Sequence, residues 1–353
     1  MRIATVIGAR PQFIKAAMVS MEMAKRNQIH EILIHTGQHF DKNMSHIFFE
    51  EMGIPEPDYN LGIQSLPHGA MTGRQLEAIE AVLIKEKPEW VLVYGDTNST
   101  LAAALAAAKL HIPVAHVESG LRSYNRKMPE EFNRVLTDHI AEILFVPTKL
   151  AIKNLLKEGI IMEKIKNVGD VMYDATLYFV GKAEKKSNIL SDLKLNSKEY
   201  ILATIHRPEN TDNPKKLKDI FSALGNSPLP VVIPLHPRTK KKLDAYDISI
   251  NGQINLIDPV GYLDMILLEK NAYKIATDSG GIQKEAYFYQ VPCITMRGET
   301  EWVELVRSGV NHLAGTDKKK IDELLNTKDI SFTNELFYGE GNTAGKIVDV
   351  LLQ

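Results

Sequence analysis

The sequence predicts an α/β protein built from two Rossmann-like, doubly wound halves. Three observations lead there. Short apolar, β-rich runs recur along the 353 residues, and they are continuous rather than alternating, as expected of parallel strands buried on both faces. Each run stops at a polar or glycine-containing cluster and is followed by a segment of helical periodicity, the mark of repeated βαβ units. The series is interrupted from about Tyr178 to Glu199, where the chain turns polar and carries Lys182, Lys185, Lys186, Lys194 and Lys198, and then it begins again. The expected division is residues 1–175, residues 176–338, and a C-terminal helix within 339–353 that packs back on the first half.

Composition bounds the function. With 44% hydrophobic and 24% charged residues the chain can bury ordinary globular cores. The net charge of −2 leaves no basic excess for nucleic acid or an anionic membrane, and no apolar run approaches the roughly 18 residues of a spanning helix. The opening MRIATVIGARP is too short an apolar stretch for a signal peptide, and the lone Cys293 has no internal disulfide partner, so a cytoplasmic setting is expected. Eleven histidines and one cysteine show no zinc-ligand spacing. His111 and His116 lie in an extended segment and HExxH is absent, so no metal is expected.

Ile3 to Ile7 reads as a strand, Gly8-Ala9-Arg10-Pro11 as a tight turn, and the segment through Ala24 as a helix. Gly8 allows close backbone approach, Arg10 offers a fork of donors, and Lys15 lies one turn inside, an arrangement able to hold an anion at a helix N-terminus. It is not the three-glycine dinucleotide fingerprint, so no nicotinamide or flavin cofactor is expected. A strand at Ile32 to Ile34 exits into His35-Thr36-Gly37-Gln38-His39. Another, Trp90 to Tyr94, exits into Gly95-Asp96-Thr97 and an alanine-rich helix that packs closely on a sheet. Asp96 and Thr97 carry two readings, helix N-caps or a proton-transfer site.

The run Ile112 to Val117 leads into the stretch on which the functional reading turns. Glu118, Gly120 and Arg122 follow the strand, then Pro129, Glu130, Glu131 and Arg134 open a helix. Charge gathered where a parallel strand stops lies at the carboxyl end of a sheet, where ligands bind in open α/β folds. Glu118 and Glu130 therefore read as functional, and Glu131 as a first-turn acid favoured by the helix dipole. Leu144 to Val146 and Ile165 to Val168 complete this half.

In the second half, ILATI exits into His206-Arg207-Pro208-Glu209-Asn210 and VVIPL into His236-Pro237-Arg238, placing two histidines at two strand exits. Asn255 to Ile257 follows. Tyr273 to Ala276 then exits into Thr277-Asp278-Ser279-Gly280-Gly281 before a helix and the VPCITM strand. Ser-Gly-Gly at a helix start offers free N–H groups and a positive dipole end, which can cradle a phosphate without a metal, although a cap with turn glycines has the same sequence. The two halves are thus expected to hold a nucleotide in the cleft between them. Arg10, Lys15 and the Ser279–Gly281 turn are the anion binders, Asp96, Glu118 and Glu130 the proton-transfer groups, and His206 a partner for a leaving phosphate. Carboxylates crowded in a low-dielectric cleft repel, so one is expected to keep its proton near neutrality.

GARPQFIK, HTGQH, YGDTNSTLA, HVESGLRS, MPEEFNR, TIHRPEN and TDSGGIQKEA, in this order over nearly the whole chain, resemble the motifs of the non-hydrolysing UDP-N-acetylglucosamine 2-epimerases. The resemblance implies the two-domain GT-B fold and inversion of the acetamido-bearing carbon of a UDP-sugar, by anti elimination of UDP to a 2-acetamidoglucal and re-addition. It implies catalytic roles for Asp96, Glu118, Glu130 and His206 and nucleotide contacts at Arg10, Lys15, Ser279, Gly280, Gly281 and Glu285. Arg134 and His236 join the substrate-binding candidates. A homodimer is implied by the resemblance alone, and no cofactor is.

Three departures stand out. TEWVE replaces TERPE, putting Trp302 where an arginine could meet phosphate; HRPEN puts Pro208 at an often cationic position; and Leu66-Pro67-His68-Gly69 replaces the Arg-Gln pair of members activated at a second site. ARPQFIK, RSYN, MPEE and TEWVE also resemble the branch acting on UDP-2,3-diacetamido-2,3-dideoxyglucuronate, whose carboxylate Arg126 and Lys127 could meet. A hydrolysing epimerase and a GT-B glycosyltransferase are the competing enzymes, and the latter would need an acceptor groove that no segment marks. A nucleotide-sugar-binding regulatory protein would need no poised carboxylates.

Overall fold

Two parallel sheets account for the apolar runs in the computed structural model of the chain, which describes residues 1–38, 56–328, 332 and 335–353. His39 of the HTGQH motif lies outside the described residues. Contacts between Cα positions divide the chain into two units, Met1–Leu177 with Leu336–Gln353, and Tyr178–Glu335.

In the first unit the strands are β1 (Arg2–Ile7), β2 (His30–His35), β3 (Tyr59–Asn60), β4 (Trp90–Tyr94), β5 (Val114–Val117), β6 (Ile143–Val146) and β7 (Ile165–Asn167). Their order is β3-β2-β1-β4-β5-β6-β7, and every pairing is parallel, with Thr5 of β1 level with Leu33 and Leu92 on either side. The second unit has β8 (Ile201–Thr204), β9 (Val231–Pro234), β10 (Ile254–Ile257), β11 (Lys274–Thr277), β12 (Cys293–Thr295) and β13 (Asn311–Leu313), ordered β10-β9-β8-β11-β12-β13. The chain winds outward one way, returns to the middle, and winds outward the other way in both units, which is the doubly wound fold predicted. The reversal falls between β1 and β4 in the first unit and between β8 and β11 in the second. In such sheets the loops leaving the two strands at the reversal diverge and open a crevice at the carboxyl edge. Gly8 and Gly95 leave one pair of strands; Ile205 and Asp278 leave the other.

Burial explains why the strands read as unbroken apolar runs. In the second unit Ile201, Ala203, Val231 and Ile233 join a core on one face of the sheet, while Tyr200, Leu202, Val232, Ile275 and Cys293 join a core on the other. Alternate side chains point to opposite faces, so both must be apolar. In the first unit the helix Asn98–Lys109 buries every residue from Asn98 to Ala104, and Ala106 and Ala107. Its alanines let the helix axis approach the sheet with no side chain standing between.

The C-terminal segment is bonded into the first unit. Asp170 N donates to Tyr338 O at 2.9 Å, and Asp174 Oδ2 accepts from Ala344 N at 2.8 Å at the start of the helix Thr343–Leu351. Thr343 Oγ1 donates to Val168 O at 3.2 Å. The lysine-rich stretch is largely helical: its first part ends the helix Val171–Lys186, and a short helix Ile189–Asp192 follows.

Candidate functional site

At the reversal of the first sheet one buried side chain ties the two diverging loops together. Gln12, 1% exposed, accepts at Oε1 from Gly8 N (2.8 Å) and Ala9 N (2.9 Å) and donates from Nε2 to Tyr94 O (2.7 Å), Thr97 Oγ1 (3.0 Å) and Thr100 Oγ1 (2.9 Å). The N–H groups of Gly8 and Ala9 are therefore used by the protein itself. Glycine is required there for a different reason: a Cβ on Gly8 would run into Ser99 Oγ and Thr36 Oγ1, which are hydrogen-bonded to each other at 2.7 Å. Arg10 begins the helix Arg10–Met23.

The loop after β4 separates the two readings of Asp96 and Thr97. Thr97 is the N-cap of the helix Asn98–Lys109, accepting at Oγ1 from Thr100 N. Asp96 is left for another partner, and its Oδ2 pairs with Arg134 Nη2. Asn133 donates to Asp96 O at 3.0 Å and to Asn98 Oδ1 at 3.2 Å. Two consecutive residues of the helix Pro129–Ile140 thus clasp this loop.

Lys15 and Glu118 form the other ion pair. Nζ lies 2.7 Å from Oε1, with the side chains 7% and 11% exposed, and both sit about 4 Å from the Cβ position of Gly95. Glu118 has φ +66° and Gly120 φ +79°. A non-glycine residue in the left-handed region costs on the order of 1 kcal/mol and persists only where its surroundings hold it. Each of the two carboxylates, Glu118 and Asp96, thus faces its own cation.

Glu131 is structural but not a surface acid. It is 5% exposed and accepts from Ser123 N, Ser123 Oγ and Tyr124 N, all at 2.9 Å, and pairs with Arg134 Nη1 at 3.0 Å. Burial alone would raise its pKa, but those donors outweigh it and hold the carboxyl below the usual range. Glu131 thereby fixes the loop after Arg122 and aims Arg134 at Asp96. Glu130 is half-buried in the first turn of the same helix, with no ion pair among the described residues.

In the second unit His206 and Asp278 meet at the reversal. Asp278 is fully buried and accepts from His206 N (3.1 Å), Arg207 N (3.0 Å) and Asn210 Nδ2 (3.1 Å), while Oδ1 lies 3.2 Å from His206 Nδ1. Burial pushes the Asp278 carboxyl up; the His206 ring and the backbone donors more than offset it, so its pKa lies below the ordinary aspartate value. With Nδ1 engaged and the side chain 41% exposed, His206 presents Nε2 outward. The His236 ring is 6.0 Å away, and its Nδ1 accepts from Arg238 N at 3.2 Å. Burial first, then the neighbouring His206 and Arg238, lower the His236 pKa.

The Ser279–Gly281 turn opens the helix Gly280–Phe288, and Ser279 makes no capping bond with its side chain. Around the place where a Cβ of Gly281 would stand there is room, with Glu285 Oε2 and Ser279 Oγ each 3.9 Å away. The structure thus gathers Ser279, Gly281 and Glu285 about one point. Trp302, which stands where an arginine could meet phosphate, is 4% exposed, its indole N–H donates to Gly280 O at 2.9 Å, and Lys284 Nζ lies 4.3 Å over its ring. It holds the turn from behind. Pro208 is the first residue of the helix Pro208–Thr211, a position where a missing N–H costs nothing.

Sequence reasoning missed the roles of Gln12, Asn133, Asp278 and His116, each of which bonds to residues distant in the chain. Among the described residues no group of three or more His, Cys, Asp or Glu side chains is arranged to hold a metal ion, and no helix is long and apolar enough to cross a membrane.

Comparison with known proteins adds a family. A family model described as UDP-N-acetylglucosamine 2-epimerase matches residues 21–352. A Methanococcus maripaludis protein named UDP-N-acetylglucosamine 2-epimerase homolog is 55% identical over 357 residues, and Pseudomonas aeruginosa UDP-2,3-diacetamido-2,3-dideoxy-D-glucuronate 2-epimerase 52% over 360, each match covering 99% of both chains. The crystal structure of Methanocaldococcus jannaschii UDP-GlcNAc 2-epimerase in complex with UDP-GlcNAc and UDP superposes with a TM-score of 0.91 at 46% identity, covering 100% of this chain and 99% of that one.

Proposed function

The chain belongs to the UDP-N-acetylglucosamine 2-epimerase family, and from that premise we propose that it interconverts UDP-N-acetylglucosamine and UDP-N-acetylmannosamine without hydrolysis. The observation that carries this reading is the pair of cation-matched carboxylates at the reversal of the first sheet, Glu118 with Lys15 and Asp96 with Arg134. A binding protein has no need of two acids, one nearly buried and one a third exposed, each held by its own cation at the carboxyl edge of a sheet.

The proton on the acetamido-bearing carbon is poorly acidic, so its removal must be coupled to departure of the diphosphate. A carboxylate takes that proton, the C–H electrons form the C1–C2 double bond, and the C1–O electrons leave with UDP. Reprotonation on the opposite face by a second carboxylic acid and return of the UDP oxygen to C1 give the epimer. Asp96, Glu118 and Glu130 supply the proton-transfer groups. The arriving diphosphate competes for Lys15, which frees Glu118 to act as a base. Arg10, Lys15, the Ser279 hydroxyl and the N–H groups of Gly280 and Gly281 balance the charge of the diphosphate, His206 meets the departing oxygen with its Asp278-oriented ring, and Glu285 accepts from ribose hydroxyls. Arg134 acts on substrate through Asp96, and His236 flanks His206.

The Pseudomonas relative favours a second substrate, the 2,3-diacetamido uronate, with Arg126 and Lys127 as the cations for its carboxylate. Incubating the purified protein with each UDP-sugar separately and following the anomeric and neighbouring proton signals by NMR decides between them: the manno isomer is expected from UDP-N-acetylglucosamine, and turnover of the uronate alone would transfer the assignment to it. The same reading takes the protein to be a cytoplasmic homodimer. Light scattering at twice the 39.6 kDa chain mass tests the assembly.

A further inference from the structure

Beneath the loops that carry Asp96 and Glu118 lies a buried polar chain that the proposed reaction does not use. His116, on β5, and Asp138, on the helix Pro129–Ile140, are 0% and 1% exposed. His116 Nε2 lies 2.7 Å from Gly95 O and Nδ1 lies 2.7 Å from Asp138 Oδ1. Asp138 Oδ2 accepts from Gly120 N at 3.0 Å and from Arg122 Nη1 at 2.7 Å. Arg122 is held in turn by Glu158, Nε to Oε1 at 2.7 Å and Nη2 to Oε2 at 2.6 Å. A carbonyl oxygen only accepts, so His116 Nε2 carries its proton.

The two ends of this chain are backbone groups, and their positions matter. Gly95 O belongs to the residue immediately before Asp96, and Gly120 N belongs to the residue two beyond Glu118. Gly95, Glu118 and Gly120 all have left-handed backbone, φ +62°, +66° and +79°; the glycines adopt it freely, whereas Glu118 keeps it only while its surroundings hold it. One imidazole and one carboxylate therefore tie the Gly95 peptide to the Gly120 peptide, beyond the point where the sheet bond from Gly95 N to Val117 O, 2.9 Å, joins the two exits. Full burial with every polar end paired is what makes such a network rigid rather than merely costly.

We propose that His116 and Asp138 are positioning residues for epimerisation, which hold the Gly95 and Gly120 peptides so that Asp96 and Glu118 meet the substrate carbon together. This rests on the proton-transfer reading of those two carboxylates. Misplacing a reacting group by about 1 Å costs roughly 10²-fold in rate, so the effect belongs in kcat.

His116→Leu keeps the volume and removes both bonds, His116→Gln keeps an amide N–H able to reach Gly95 O, and Asp138→Asn keeps the shape while breaking the acceptor pattern. Per mole of folded protein, His116→Leu and Asp138→Asn are expected to lower kcat about 100-fold with KM and UDP affinity within about threefold of the parent, and His116→Gln to recover at least tenfold of that loss. A role in stability alone would lower the melting temperature and leave kcat per folded molecule unchanged in all three, which overturns the proposal. Should His116→Leu not fold, the comparison of His116→Gln with Asp138→Asn decides, and parent-like kcat in both overturns it. Asp96→Asn and Glu118→Gln are run beside them. Full activity in those two means the proton-transfer reading itself has failed, whereas their inactivity beside an active His116→Leu means that only the positioning claim has.

Discussion

Replacing Asp278 by asparagine changes one buried atom and tests how the second unit prepares His206. The carboxylate is fully buried and receives three N–H donors at 3.0–3.1 Å besides the His206 ring at 3.2 Å. An amide has one acceptor oxygen, and turning its NH₂ toward Arg207 N and Asn210 Nδ2 would set donor against donor. The NH₂ must therefore face His206, where a donor replaces the carboxylate oxygen that held Nδ1. Hydrogen bonds to a charged group contribute about 1.5–3 kcal/mol and neutral ones about 0.5–1.5, so losing the charge costs roughly 2 kcal/mol. For a unit of this size that is about 4–8 °C in melting temperature.

The pH dependence has a definite sign. Because the Asp278 pKa is held below its ordinary value in the fold, its stabilisation is present above the unfolded value of about 3.9 and is lost as pH falls through the folded value. Calorimetry of parent and Asp278→Asn from pH 7 to pH 3 should show a gap in melting temperature that closes on acidification, and turnover at pH 7 should fall about 100-fold through loss of the carboxylate that orients His206. A gap that stays constant to pH 3, or unchanged turnover, would refute the reasoning.

Glu118→Gln and Asp96→Asn should each retain UDP binding by calorimetry while losing turnover by factors of about 10² to 10⁴. Trp302→Phe removes the indole donor behind Gly280 together with part of a buried ring, and should weaken UDP affinity at least about fivefold, the worth of one neutral hydrogen bond, with folding intact by circular dichroism. Lys274 is 1% exposed, and its ammonium donates to Leu324 O at 2.7 Å, Leu325 O at 3.0 Å and Thr327 O at the end of the helix Lys318–Asn326. Lys274→Met leaves those carbonyls unpaired and should lower the urea midpoint by the equivalent of about 2 kcal/mol. Since side chains and helix N–H groups carry the diphosphate charge, EDTA should leave turnover unchanged, and a loss restored by a divalent cation would count against that assignment.

The strands and their parallel sense were legible because burial on both faces of a sheet leaves little choice of residue: Val91 to Tyr94 and Leu144 to Val146 are completely buried. Strand exits were legible for the related reason that charge appears where the sheet ends, which is how Asp96, Glu118, His206 and the Ser279 turn were marked. Local chemistry could not divide the work between Asp96 and Thr97, since both are favoured caps. Arg134, 38 residues along, makes the division by pairing with the aspartate. Glu131 looked like a dipole-favoured surface acid because its donors, Ser123 and Tyr124, reach it only once the loop folds back. Gln12, His116 and Asp278 lie within quoted motifs, but nothing local marks their roles, because partners that define them lie 85, 22 and 72 residues away in sequence. The replacement at Trp302 was legible in TEWVE but its contacts were not; an indole has one donor and a large apolar ring, and burial claims it.

The central claim is that the chain removes and returns a proton on a sugar carbon with UDP held throughout. It is tested most directly by proton NMR of the enzyme with UDP-N-acetylglucosamine in D₂O. The account predicts a gluco–manno mixture, deuterium at the acetamido-bearing carbon and an intact bond to UDP. Epimer formed with the original hydrogen retained, or release of free N-acetylmannosamine and UDP, would contradict it.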